Sequence, residues 1–174
     1  MIRVAILLAA IGITSAANTA KLKALRAAQR EFESIKHPTE ADRARYVTHL
    51  VRLREKLTRA DLEAIEAIDA EVVRHPMPDD AVARDIAKRL VGRWQSPRRP
   101  YFYHSDGTWR SNEDIPGETG GTWRIQGNQF FQNYSDDTPG RGETIILLTA
   151  TDFVYGSAKA PYYLRRGTAF PWRE

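Results

Sequence analysis

The chain contains no cysteine. That excludes disulfides, thiolate metal sites, a thiol nucleophile and a lipid-modified N-terminal cysteine, so the fold must rest on packing alone. Histidine is scarce too: His37, His49, His75 and His104 are the four present, and they are too scattered to spell a metal or catalytic set. His37 and His75 fall at helix ends, where partial positive charge complements the helix dipole. Charge of neither sign prevails. Beyond residue 17 there are 25 Lys and Arg against 22 Asp and Glu, a net of +3 spread along the whole length. No basic footprint for nucleic acid results.

Long apolar runs are missing, with one exception. Arg3 precedes an apolar stretch from Val4 to Ile13, and Ser15-Ala16-Ala17 offers small residues to a signal peptidase. A spanning helix needs about 20 apolar residues, and this core has about half that. The leader therefore predicts export to periplasm or medium with cleavage near Ala17, Ala16 and Ala20 being alternative ends, and no integral anchor afterwards. About 157 residues remain, enough for one sizeable core or two small ones.

Residues 18–90 hold no Gly and no Trp, whereas 91–174 hold ten of the eleven Gly and all four Trp. The first part is helical by pattern. Apolar residues recur three and four apart at Leu22, Leu25, Ala28, Phe32 and Ile35, then Tyr46, Leu50, Leu53 and Leu57, then Leu62, Ile65, Ile68 and Val72. His37-Pro38 and His75-Pro76 end helices, because the residue before proline is pushed out of the α region. Thr39 is placed to cap the second helix, with Glu40 and Asp42 in its first turn. Between the second and third helices the break is faint: Thr58 caps a new helix, or the two form one bent helix. Asp79 and Asp80 are placed to cap a short fourth helix with Val82, Ile86 and Leu90 on one side.

After Leu90 the apolar period falls from 3.6 to 2, and Gly, Asp, Asn and Pro punctuate the chain. Strands are predicted at 91–96, 100–105, 108–112, 121–126, 129–134, 143–149, 152–157 and 160–166, with tight turns at Asp106-Gly107, Gly127-Asn128 and 149–151. Eight short strands in sequence predict an up-and-down meander, which loses its exposed edges by closing into a barrel. The fold class is therefore α+β: a helical segment of three or four helices, then a small antiparallel barrel. The domains expected are a 1–17 leader, an 18–90 helical region and a 91–174 barrel.

Three Gly-x-Trp triplets stand in the second part: Gly92-Arg93-Trp94, Gly107-Thr108-Trp109 and Gly121-Thr122-Trp123. The first opens the first strand directly after a short helix, and Tyr162-Tyr163-Leu164-Arg165-Arg166 forms the last strand. Residues 88–168 thereby resemble the lipocalin-like, or calycin, barrels. The resemblance implies that Trp94 packs across one end of the barrel beneath Arg165 or Arg166 from the last strand. It also implies ligand binding, although eight strands in about 80 residues make a small barrel whose own side chains would fill much of the lumen.

Tyr101, Phe102, Tyr103, Trp109, Trp123, Phe130, Phe131, Tyr134, Phe153, Tyr155, Tyr162 and Tyr163 supply either that filling or the wall of a pocket. Arg98, Arg99, Tyr101 and Tyr103 are the ligand-contacting residues expected at a rim, where guanidinium and aromatic groups together suit an apolar or anionic ligand. His104-Ser105-Asp106-Gly107 reads as a strand end and turn, since neighbouring strand residues face opposite ways. Glu113-Asp114 and Asp136-Asp137 read as solvated loops without hydrolytic or calcium-binding spacing. Asn133-Tyr134-Ser135 matches a glycosylation sequon. The functional expectation is an exported, non-catalytic binding protein without metal or cofactor. The alternative is an envelope interaction or inhibitor module that docks through the helical half.

Overall fold

The computed structural model describes residues 19–78, 83–111, 120–134, 140–157 and 160–167. The leader, Asp79, Asp80, Val82, Glu113, Asp114, Ser135, Asp136 and Asp137 lie outside them. The chain divides into two compact units between Glu71 and Val72. The composition changes later, near Leu90, because the last helix before the strands belongs to the barrel unit.

In the first unit, α1 runs through residues 19–33, α2 spans Glu40–Arg54 and a single 3₁₀ turn, Arg59–Asp61, leads into α3, Leu62–Val73. Thr39 caps α2 as expected. Its hydroxyl accepts from Asp42 N–H at 3.2 Å and the Asp42 carboxylate accepts from Thr39 N–H at 3.0 Å, a reciprocal box that satisfies two otherwise orphaned donors. Donation from the Thr39 hydroxyl, at 2.6 Å, and from the Thr39 N–H holds the Asp42 carboxyl down at about 2. The faint break resolves into two helices, because Asp61 accepts from Thr58 N–H and hydroxyl at 2.9 and 3.0 Å and turns the chain there.

Of the predicted stripes, Leu25, Ala28, Tyr46, Leu50 and Ile68 are buried, joined by Val47, Val51 and Ala64, whereas Ile35, beyond the end of α1, and Leu62, at the start of α3, are exposed; Phe32 stacks on Tyr46 with centroids 4.4 Å apart. Two buried acids, Asp61 and Glu71, and the half-buried Asp69 tie the helices together. Glu71 accepts from Tyr46 hydroxyl at 2.9 Å and Gln29 amide at 3.0 Å, Asp61 pairs with Lys21 at 2.5 Å, and Arg54 pairs with Asp69 at 3.0 Å. A buried carboxylate is tolerable only when its oxygens are satisfied in this way.

In the second unit, α4 spans Ala83–Leu90 and eight strands follow: β1 Gly92–Gln95, β2 Pro100–Tyr103, β3 Thr108–Arg110, β4 Gly120–Gln126, β5 Gln129–Tyr134, β6 Gly142–Leu148, β7 Asp152–Ser157 and β8 Ala160–Arg166. Each pairs antiparallel with the next, and β8 returns to β1 through Trp94↔Arg166 and Gln95↔Arg165, closing the barrel. The predicted meander and its closure are thus what the chain forms. Glycine makes two close approaches possible. A Cβ on Gly121 would lie 2.0 Å from the Asn133 carbonyl oxygen, and Gly92, at φ +123°, leaves room for the Arg166 guanidinium.

Period-2 alternation divides the aromatic residues between faces. Trp94, Tyr103, Trp109, Trp123, Phe130 and Phe153 form the barrel core with Ile145, Leu148 and Leu164. Phe102 and Phe131, at the opposite parity, lie under Arg93 and Arg124 at 5.5 and 3.8 Å. A bulge between Ile145 and Leu147 shifts the parity of β6, so Ile145 and Leu148 both reach the core. Met77, Ile86 and Leu90 join that core from the segment before β1. Asn128 amide donates to Met77 carbonyl at 2.8 Å and Met77 N–H to Ile145 carbonyl at 2.8 Å, fixing this cover to the sheet.

Candidate functional site

At the covered end, Trp94 is fully buried, donates its indole N–H to Leu90 carbonyl at 2.6 Å and meets Phe153 edge-on at 5.8 Å. The register decides between the two arginines. Arg166 lies over the Trp94 ring at 4.5 Å and donates to Val91 carbonyl at 3.0 Å and to Arg89 carbonyl, capping the end of α4 with positive charge. Arg165, one residue earlier and on the other face, instead pairs at 3.3 Å with Asp152, which is 2% exposed. Trp109 and Trp123 anchor their strands by donating to Asn133 and His104 carbonyls at 2.9 and 3.1 Å.

At the opposite end the described residues form a cleft of about 380 Å³, lined by Tyr101, Phe130, Gln132, Tyr134, Arg141, Glu143, Tyr155 and Tyr162, among others. Its walls come from β2, β5, β6, β7 and β8, each contributing interior-facing residues beyond the packed core. The rings support one another: Tyr155 lies 4.9 Å from Phe130 and 5.4 Å from Tyr162, while Trp109 lies behind the wall, 5.8 Å from Tyr101 and 5.3 Å from Tyr134. Tyr134 and Tyr162 are 41% and 56% exposed, so the aromatic surface continues to the rim.

The four expected contact residues separate by depth. Tyr101 lines the cleft. Tyr103, expected at the rim, is instead in the core, 1% exposed, with its hydroxyl donating to Gln132 at 3.1 Å from beneath the cleft floor. Arg99 lies over the Tyr101 ring at 5.3 Å and donates to its hydroxyl at 3.1 Å. Arg98 is exposed in the β1–β2 turn, where Ser96 hydroxyl accepts its backbone N–H at 3.2 Å.

Burial raises the Tyr103 and Tyr155 phenols well above their ordinary value, and Tyr134 rises for the same reason. The Tyr134 and Tyr155 hydroxyls therefore meet the cleft uncharged at physiological pH. Glu143 is the residue that the sequence reading passed over. Desolvation raises its carboxyl above the ordinary value, and one of its oxygens, Oε2, is buried without a hydrogen-bond partner. Its signal in the sequence is an acid two residues before the fully buried Ile145, on the same face of β6.

His104 lies one residue past the end of β2. Its carbonyl accepts from Gly107 N–H at 3.2 Å, and Asp106 accepts from Thr108 N–H and hydroxyl at 2.8 and 2.7 Å, which makes the segment a hairpin turn. Asn133, the first sequon residue, accepts from Gly140 N–H at 2.7 Å. Among the described residues no cluster of three metal-ligating side chains occurs, and no helix is long and apolar enough to cross a membrane.

The fold thus defines an α+β protein with a closed eight-stranded antiparallel barrel, packed at one end and carrying an aromatic cleft among the described residues at the other. No protein-family model, curated protein or solved structure matches the chain.

Proposed function

We propose that this is an exported, non-catalytic binding protein of lipocalin-like type, which holds a small molecule with an aromatic or apolar body in the cleft of its barrel. The observation that carries the reading is the cleft itself. Its volume of about 380 Å³ is within the range of about 300–1,000 Å³ common to small-molecule sites, and aromatic walls with a few convergent polar groups are their usual lining. The Trp94 and Arg166 stack, and the leader peptide, support the resemblance and the compartment. Of the two ligand chemistries expected, the apolar body is favoured. Arg99 is engaged by Tyr101 and Arg98 does not line the cleft.

Trp109 reports on the site because it touches two of its walls, Tyr101 and Tyr134. Titration with small aromatic compounds should change tryptophan emission saturably, and Trp109→Phe should remove most of that change while binding persists by calorimetry. No saturable heat or emission change across such compounds would refute the reading.

A further inference from the structure

We infer that the ligand taken by the cleft is an organic ammonium ion on an aromatic or apolar stem, with Glu143 as its counter-charge. The inference deepens the binding reading above and rests on it. Glu143 faces the barrel interior from β6, opposite Phe130 in the neighbouring strand. Its Oε2 is buried and unbonded, and a buried acceptor left unsatisfied costs free energy that an arriving donor would recover.

The groups around it narrow the class of donor. Tyr101, Tyr134, Tyr155 and Tyr162 share the cleft with Glu143, and the faces of such rings attract cations. Arg141 also lines the cleft but is exposed to water, where its charge is screened. Arg99, at the mouth, donates to Tyr101.

Three ligand types can be compared at this site. A neutral apolar molecule would leave the carboxyl oxygen unpaired. An anion would meet the Glu143 carboxylate as a like charge and gain no donor for Oε2. An ammonium ion supplies the missing donor, neutralises the acid and presents its positive charge to the rings. The site therefore distinguishes ligands of one shape by the charge on their inner end.

The test is calorimetry on the full chain with three probes of similar size: phenethylammonium, 2-phenylethanol and 3-phenylpropionate. Phenethylammonium should bind about tenfold or more tightly than the alcohol, as expected for one charge-assisted hydrogen bond. Glu143→Gln should abolish that preference and leave the alcohol within about twofold. The wild-type comparison stands even if the variant fails to fold. Equal binding of ammonium and alcohol would overturn the inference while the binding reading survives. Tighter binding of the propionate, or an ammonium preference untouched in folded Glu143→Gln, would overturn it likewise. Absence of binding by all three would remove both readings.

Discussion

Arg166 and Gly92 should be energetically coupled, and the coupling can be worked from their geometry. Arg166→Ala removes a cation–π contact at 4.5 Å and donation to two carbonyls at the end of α4. Arg166 is exposed, so the contact with Trp94 is at the weak end of its range, about 0.5–1 kcal/mol. The two carbonyl bonds add about 0.5–1 kcal/mol each. A loss of about 2 kcal/mol follows, which at a urea slope of about 2 kcal/mol/M lowers the midpoint by about 1 M.

Gly92→Ala acts in two ways. It forces an L-residue to φ +123°, a strain of about 1–3 kcal/mol, and its Cβ would lie 2.8 Å from Arg166 Nη1, displacing the guanidinium. Only the strain survives once Arg166 is gone. The double variant should therefore be more stable, by about 1 kcal/mol, than additivity predicts. Urea unfolding of the four proteins, followed by tryptophan emission, measures the cycle. Additivity within about 0.3 kcal/mol would refute the idea that Gly92 is glycine to admit Arg166.

Three other expectations follow from the packing. Gly121→Ala should cost about 3 kcal/mol or prevent folding, because its Cβ would collide with the Asn133 carbonyl across the β4–β5 pair; an unchanged melting temperature would contradict that register. Arg165→Met should cost about 1–3 kcal/mol by removing a charged hydrogen bond to buried Asp152; an unchanged melting temperature would contradict the pairing. Lys21 and the Thr58 cap hold the Asp61 carboxyl below its ordinary value. Their stabilisation is complete above the unfolded value of about 4 and is lost as pH falls through the lowered folded value. Lys21→Met should accordingly weaken the acid dependence of helical-unit stability, seen by circular dichroism during acid titration; an unchanged acid limb would contradict the pairing.

Much of the fold is legible in the sequence for definite reasons. Apolar spacing locates α1, α2 and α3 but misplaces the stripe ends at Ile35 and Leu62, which are exposed; Thr39 marks the start of α2, the helices end two to four residues before the His-Pro pairs, and turn residues locate the hairpins to within a residue or two. What alternation cannot supply is depth. Tyr101 and Tyr103 share a face in any register, but the stagger of closure decides that Tyr103 is buried in the core while Tyr101 reaches the cleft. The choice of Arg166 over Arg165 likewise depends on the β1–β8 register, a pairing between segments about 70 residues apart in sequence. Glu143 was hidden for a related reason. An acid at the start of a strand reads as a solvated end, and only closure turns that position inward. The bulge after Ile145 obscures the pattern further by breaking the parity of the following apolar run.

The central claim is that the aromatic cleft of the barrel binds a small molecule. Two-dimensional NMR of isotope-labelled protein titrated with phenethylammonium tests it most directly. Saturable perturbations should cluster on Tyr101, Tyr134, Glu143, Tyr155 and Tyr162, with Trp94 and Arg166 at the covered end unmoved. Perturbations confined to α1 and α2, or none at millimolar probe, would contradict the account.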